Sequence, residues 1–201
     1  MSTRTGLIDP QGKKMGMWLF LFTEILFFGG MFLLYSIFRS LYLPDFHAAA
    51  AQENLLLGAT NTVILLTSSF TMALSISAVK RGENLLSSRL QAATILMGLA
   101  FLVIKIIEWR AKIVLGIYPD SPVLLKLGKG EILFFGLYYV MTGLHGLHVL
   151  IGCIAIAFMF FFTRRETVNS KDYARLENTG LYWHFVDIVW IYLFPLFYLI
   201  T

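Results

Sequence analysis

The sequence predicts an all-α protein, a polytopic membrane bundle of five transmembrane helices. Three observations support this fold class. Of the 201 residues, 58% are hydrophobic and only 14% are charged, against about 25% charged residues in an average soluble domain. Long stretches between the charged residues contain almost no ionisable group. This composition is not that of a soluble globular protein.

Five segments are long and apolar enough to cross a membrane, which takes roughly 20 helical residues. The predicted spans cover about residues 15–38, 55–79, 90–110, 132–162 and 179–200. The fourth stretch, if helical throughout, exceeds a hydrocarbon core of about 30 Å, so it is expected to tilt or protrude. No internal repeat or linker divides the chain, so residues 1–201 are expected to form a single membrane domain without a cleavable signal peptide.

The basic residues lie between the apolar stretches and indicate an orientation. The formal net charge is +4, and because the cations are dispersed, lipid headgroups rather than nucleic acid are the expected partner. One side of the predicted bundle holds ten: Arg4, Lys13, Lys14, Lys80, Arg81, Arg89, Arg164, Arg165, Lys171 and Arg175. The other side holds five: Arg39, Arg110, Lys112, Lys126 and Lys129. The positive-inside rule therefore predicts a cytoplasmic amino terminus and an external carboxyl terminus.

Ionisable side chains within the spans must find partners, because each costs free energy in hydrocarbon. Glu24 lies mid-span without a basic residue within one helical turn, so its carboxyl either pairs with another helix or is protonated, and structural and functional roles are both open. Lys105 and Glu108, three residues apart, can compensate each other's charge. A structural pair and a proton or ligand role are both open for them.

The histidines in the spans raise the question of a metal site. His145 and His148 are about one turn apart and can face one ion, but a closed site takes about four ligands. Only Cys153 and His184 are further candidates, so no metal is expected, and Cys153 is expected to be a small core residue. His184 and Asp187 have the spacing with which a carboxylate orients an imidazole or bridges it to a neighbouring helix.

The second span carries an unusual number of small polar side chains, and the chain lacks soluble catalytic motifs. An interhelical packing surface and a transport path are the two interpretations of these side chains, and packing is favoured. They are Asn61, Thr67, Ser68, Ser69, Thr71, Ser75 and Ser77. No phosphate-binding loop, Cys-x-x-Cys pair or G-x-S-x-G elbow occurs, so no catalytic residue is predicted.

Three stretches, in this order, resemble subunit III of the haem-copper oxidases, the cytochrome c and quinol oxidases. They are GMWLFLFTEILFF at 16–28, TGLHGLHV at 142–149 and WHFVDIVW at 183–190. Asn61-Thr62 and Glu108 are also similar to family positions. The chain resembles the five-helix form that lacks the first two helices of longer members, which favours a bacterial inner membrane.

The resemblance implies an accessory subunit of a proton-pumping terminal oxidase that reduces oxygen to water. Such a subunit binds phospholipid but no redox centre, since the haems and copper lie in partner subunits. It packs on the catalytic subunit I, with subunit II and a small subunit IV in the same complex, and it supports proton uptake and oxygen access. The resemblance also implies a carbodiimide-reactive carboxylate at Glu24 and lipid-phosphate contacts at Arg164 and Arg165.

Two other functions are considered. A homologous accessory subunit of a nitric oxide reductase would use the same bundle beside a different catalytic chain. An independent proton-coupled transporter is suggested by Glu24, Lys105, Glu108 and Asp187, although the broken helices and paired repeats of transporters are not evident.

Overall fold

The computed structural model describes residues 10–200, with side chains from residue 15 onward, and within this part the chain is helical without a strand. The helices are α1 (Pro10–Leu41), α2 (Leu43–Ala50), α3 (Leu55–Lys80), α4 (Asn84–Val114), α5 (Lys129–Arg164) and α6 (Ala174–Tyr198), with a 3₁₀ turn at Leu124–Lys126. All but α2 are long and apolar enough to cross a membrane. The prediction of five membrane-spanning helices is therefore confirmed.

The observed helices extend beyond several predicted bounds. The span predicted at 90–110 is part of Asn84–Val114, because the polar first turns of α4 pack into the bundle and bury Ser87, Ser88 and Gln91. In the same way, α5 extends the span predicted at 132–162 by a few residues at each end, and α6 begins before residue 179.

The short helix α2 lies between the first two spans and was not predicted. Pro44 occupies its first turn, where the absent N–H of proline costs no hydrogen bond. The Asp45 carboxylate accepts a hydrogen bond from the Gly130 N–H at 3.0 Å, in the first turn of α5. Phe46 and Ala49 are buried, so α2 closes one end of the bundle.

The helices differ in how deeply they are buried. Half of the most apolar stretch of α6 is buried, against 11% of that of α1. The core centres on α6, whose Trp183, Trp190 and Phe197 are buried among side chains of α3, α4 and α5. Helices α3 to α6 therefore form the packed bundle, and α1 lies at its edge.

A notch between α4 and α5 accommodates Trp183. A Cβ at Gly98 would lie 2.6 Å from the Cys153 Sγ and 2.8 Å from the Trp183 ring, and one at Gly152 would lie 2.7 Å from the same ring. Only glycine permits this approach. The Trp183 indole N–H donates to the Ser68 Oγ on α3 at 3.1 Å, so one side chain joins four helices. Cys153 is buried here, as predicted.

Small polar side chains join α3, α4 and α5 near one end of the bundle. Thr71 Oγ1 lies 2.8 Å from Thr94 Oγ1, and Ser75 Oγ lies 3.0 Å from Ser87 Oγ. Gln91 donates to Thr163 Oγ1 at 3.1 Å. The first two contacts place Thr71 and Ser75 of α3 in an interhelical packing surface with α4, which is the interpretation the sequence favoured.

Candidate functional site

Glu24 and His148 meet at the edge of the bundle, where α1 contacts α5. The Glu24 Oε2 lies 3.1 Å from the His148 Nε2, and their side chains are 18% and 14% exposed. The other ring nitrogen, Nδ1, lies 2.8 Å from the Leu144 carbonyl oxygen. The sequence singled out both residues but did not predict that they pair.

The hydrogen bonds of His148 determine where its proton lies. A carbonyl oxygen only accepts, so Nδ1 carries a hydrogen and donates it to Leu144. A hydrogen bond across the Nε2–Oε2 contact then takes a proton on either the imidazole or the Glu24 carboxyl. The contact therefore joins α1 to α5 through two groups that can each carry that proton.

The surroundings of this Glu24–His148 pair are apolar on the side of the bundle. The Phe28 ring lies edge-on to His148, with centroids 5.2 Å apart. An apolar cavity of about 240 Å³ lies one turn along α1 and is lined by residues that include Phe28, Gly29 and Phe185. The pair is thus accessible from the edge of the bundle and shielded on its inner side.

A second charged site, the Lys105–Glu108 cluster, lies inside the bundle and consists of Lys105, Glu108, Tyr138 and Tyr198. Lys105 Nζ donates to Glu108 Oε2 at 3.1 Å, to Tyr138 Oη at 3.1 Å and to Tyr198 Oη at 2.8 Å. Both tyrosine hydroxyls donate to Glu108 Oε1, at 2.8 and 2.6 Å. The ammonium thus uses all three of its donors, which is the arrangement that a buried ion pair needs.

A buried ion pair between Glu53 and Lys112 lies beside this cluster. Their N–O distance is 2.9 Å, and the Glu53 side chain is 0% exposed. Glu53 lies outside the spans; burial raises its pKa to about 7, and the charge of Lys112 limits the rise. From the sequence, Lys112 counts only among the basic residues on one side of the bundle, because the fold alone brings it against the α2–α3 connection.

The two histidines of α5 face different neighbours. His145 is fully buried between Phe101 and Trp190, with ring centroids 5.4 and 5.2 Å away. Neither of its ring nitrogens has a hydrogen-bond partner among residues 15–200, and the same holds for the buried side chain of Asn61. Within the described part of the chain, no group of three or more His, Cys, Asp and Glu is placed to hold a metal.

His184 contacts a neighbouring helix. Its Nδ1 lies 2.6 Å from Ser69 Oγ on α3, and Asp187 also interacts with Ser69. Within residues 15–200 no direct hydrogen bond joins Asp187 to the imidazole, so the direct contact, one of the two predicted arrangements, is not the one observed. Residues three apart on a helix diverge by about 60°, which here directs the ring toward α3.

Arg164 and Arg165 end α5 and are exposed. Arg164 lines a cavity of about 160 Å³ together with Asn84, Leu85, Thr163 and Glu166. A neighbouring cavity of about 500 Å³ shares Asn84, Leu85 and Glu166 and adds Arg89. Arg164 and Arg89 thus border adjoining cavities at one end of the bundle.

Comparison with known proteins covers nearly the whole chain. The family model described as cytochrome c oxidase subunit III matches residues 4–201. The chain is 32% identical over 195 residues to cytochrome c oxidase subunit 3 of Thermostichus vulcanus, across 96% of this chain and 89% of the relative. It is 34% identical over 193 residues to the Synechocystis protein of the same name, across 95% and 77%. It is also 29% identical to heme-copper oxidase subunit I+III of Aeropyrum pernix, across 95% of this chain and 23% of that longer protein.

Proposed function

The chain belongs to the cytochrome c oxidase subunit III family and is an accessory subunit of a haem-copper oxidase; on this premise, we propose that it performs no redox step and supports the catalytic subunit I through bound lipid and an edge carboxylate. The contact between Glu24 and His148 at the edge of the bundle carries this proposal. Glu24 lies on the least buried of the five spans, where a neighbouring subunit or lipid reaches it.

The donor set of the chain supports a role without a redox centre. The sequence has four histidines and one cysteine, whereas a dinuclear copper site uses a pair of cysteines and haem ligation takes further histidines. His148 and His184 each use a ring nitrogen in contacts within the bundle. Haems and copper are therefore assigned to partner subunits, the catalytic residues with them.

The proposed partners are subunit I in direct contact, and subunit II and a small subunit IV in the same complex. Support for contact with subunit I comes from the A. pernix relative, whose name places subunits I and III in a single chain. The complex would reduce oxygen to water in a bacterial inner membrane, with the amino terminus of this chain in the cytoplasm. The basic residues Lys80, Arg81 and Arg164 lie at the end of the bundle assigned to the cytoplasm.

Arg164 and Arg165 are proposed to hold lipid phosphate against the complex. The forked guanidinium donors of arginine match phosphate oxygens, and the cavities beside Arg164 and Arg89 offer space for a headgroup. Replacing Arg164 and Arg165 by glutamine should lower the amount of anionic phospholipid that co-purifies, as measured by mass spectrometry. Replacing Arg110 at the opposite end should leave that amount unchanged.

Glu24 is proposed as the reactive carboxylate of the edge. A protonated carboxyl reacts with a hydrophobic carbodiimide that reaches it from the apolar phase: its proton passes to a carbodiimide nitrogen and its oxygen adds to the central carbon. The partial exposure of Glu24 allows this access, and a proton placed on the carboxyl in its contact with His148 would make it reactive. Labelling of the purified complex should modify Glu24, and Glu24→Gln should abolish labelling, leave assembly intact and change the rate at which the oxidase loses activity during turnover. Glu108→Asp is the matched control and should leave the labelling unchanged, because Glu108 is buried and the carbodiimide does not reach it.

The purified complex also shows which reaction the enzyme catalyses. The large subunit that co-purifies, together with oxygen or nitric oxide consumption, distinguishes an oxidase from a nitric oxide reductase. Labelling of Glu108 rather than Glu24 would contradict the assignment of the reactive carboxylate. Proton flux from this chain alone in liposomes would contradict the accessory role.

A further inference from the structure

A cavity of about 450 Å³ lies between α1, α3 and α6, at the end of the bundle where α3 ends and α6 begins. Its apolar lining residues include Trp18, Ile76 and Leu181, one from each helix, and its polar ones are Glu177, Asn178 and His184. This volume is within the range of small-molecule sites. The cavity is separate from the Glu24–His148 pair and from the Lys105–Glu108 cluster, whose residues do not line it.

His184 is the polar group deep in this cavity. It lies seven residues beyond Glu177, which is about 10 Å along the axis of α6. Its Nδ1 is held by Ser69 Oγ at 2.6 Å, and no hydrogen bond within residues 15–200 engages its Nε2. A second lining residue, Asn178, has a buried side-chain oxygen without a partner in the same part of the chain.

The contact with Ser69 lets His184 bind either of two polar groups. A serine hydroxyl both donates and accepts. When it donates to Nδ1, Nε2 carries a hydrogen and can donate to a carbonyl; when it accepts from Nδ1, Nε2 can accept from a hydroxyl. The site therefore suits one uncharged hydrogen-bonding group.

The charges around the cavity argue against an ionic headgroup. No Lys or Arg is among the described residues that line it, and Glu177 at its mouth forms an ion pair with Lys80 at 2.6 Å. Asp187, one turn beyond His184, is also acidic and buried. A phosphate or carboxylate placed beside His184 would therefore lie next to the buried Asp187, with no Lys or Arg among the described lining residues to pair with it.

We propose that this cavity binds a neutral amphiphile that hydrogen-bonds to His184 Nε2 through one hydroxyl or carbonyl group and whose apolar body packs against Trp18, Ile76 and Leu181. Prenylated quinones and diacylglycerols are two membrane molecules that offer such a group on an uncharged head. The polar group lies about 10 Å deeper than Glu177, which a phospholipid headgroup does not reach without leaving its charge unpaired. The proposal rests on this chain alone and not on the role proposed above.

Photolabelling of the purified complex in nanodiscs tests the site. The probes are an azido derivative of a short-chain prenylated quinone and a diazirine derivative of dioctanoylglycerol, and labelling is scored on this chain by peptide mass spectrometry. At least one probe should label α1, α3 or α6 beside the cavity. The unlabelled molecule that competes identifies the source, and phosphatidylglycerol should not compete.

Two variants and a control locate the binding. Ala73→Phe fills the cavity from α3, and His184→Phe removes the hydrogen bond; each should lower labelling by about tenfold or more. Leu74→Phe adds a similar ring at the next position of α3, which does not line the cavity, and should retain labelling. Labelling that survives Ala73→Phe, equal competition by phosphatidylglycerol, or no labelling by either probe would overturn the proposal. These results hold whichever large subunit co-purifies, so they are independent of the proposed function.

Discussion

The Lys105–Glu108 and Glu24–His148 pairs have the same N–O distance, 3.1 Å, in different surroundings. The side chains of the first are 7% and 3% exposed and share two tyrosine hydroxyls. Those of Glu24 and His148 are 18% and 14% exposed, and Glu24 lies on the helix with the smallest buried share. The separation of the charges does not distinguish the two roles, whereas burial and the number of further partners do.

This difference separates stability from reactivity. A buried pair whose donors and acceptors are all used resists the loss of either member, because the remaining charge is left in a medium of low dielectric constant. A pair at the edge can exchange its proton and tolerate substitution. Four substitutions test this distinction, from the largest expected effect on stability to the smallest.

The largest effect is expected from Glu108→Gln. It leaves the Lys105 ammonium without its carboxylate inside the bundle, which costs about 3–5 kcal/mol. The thermal midpoint of the purified complex and the yield of assembled complex should both fall strongly. Glu83→Gln, which breaks the exposed Arg81–Glu83 pair, is the matched control and should change stability by less than about 1 kcal/mol. Equal effects of the two changes would show that the Lys105–Glu108 cluster does not stabilise the bundle.

Glu53 should make stability depend on pH. Burial raises the pKa of Glu53 to about 7 from an ordinary value of 4.5. Between these two pH values, the carboxyl is therefore protonated in the folded protein and ionised in the unfolded chain. The contribution of Glu53 to the free energy of unfolding is therefore highest below about pH 4.5. It falls as the pH rises through 7, by up to about 3 kcal/mol.

Thermal unfolding of the complex from pH 5 to 8 measures this dependence. Glu53→Gln removes the titrating group, so its profile should be flatter than that of the wild type, although the loss of a partner for Lys112 lowers its stability overall. Glu131→Gln, which changes a more accessible carboxylate, should leave the slope unchanged. Parallel profiles of wild type and Glu53→Gln would contradict the prediction.

A smaller loss of stability is expected from Tyr35→Phe, at a hydrogen bond between α1 and α6. The Tyr35 hydroxyl donates to the Leu196 carbonyl, and Tyr35 is buried. Tyr35→Phe removes only this bond and should lower the free energy of unfolding by about 1 kcal/mol. Tyr192→Phe, at an exposed ring, should have no measurable effect. A loss as large as that of Glu108→Gln would mean that α1 is part of the packed bundle and not its edge.

The smallest effect on stability is expected from Glu24→Gln. The partly exposed amide still hydrogen-bonds to His148, so the thermal midpoint should change by less than that of Tyr35→Phe. A large fall in the midpoint, comparable to that of Glu108→Gln, would erase the distinction between the two pairs.

The sequence predicts the spans well because their length and hydropathy depend on local composition. Lys105 and Glu108 are also recognisable, since their spacing places them on one helix face. The helix α2 was missed, because eight residues are too few to cross a membrane. The Glu53–Lys112 and Glu24–His148 pairs join elements far apart in the chain, and no local pattern specifies such contacts. The spacing of His184 and Asp187 left two arrangements open, because spacing gives the face of a helix and not the direction in which a ring turns.

The notch around Trp183 also protects the sulfur beside it. Cys153 is the single cysteine of the chain, and its Sγ is enclosed between the backbone of Gly98 and the indole ring. Maleimides and other thiol reagents should therefore leave the native protein unmodified. A cysteine introduced at any exposed position would then report its own accessibility from either face of the membrane, without prior removal of the natural one.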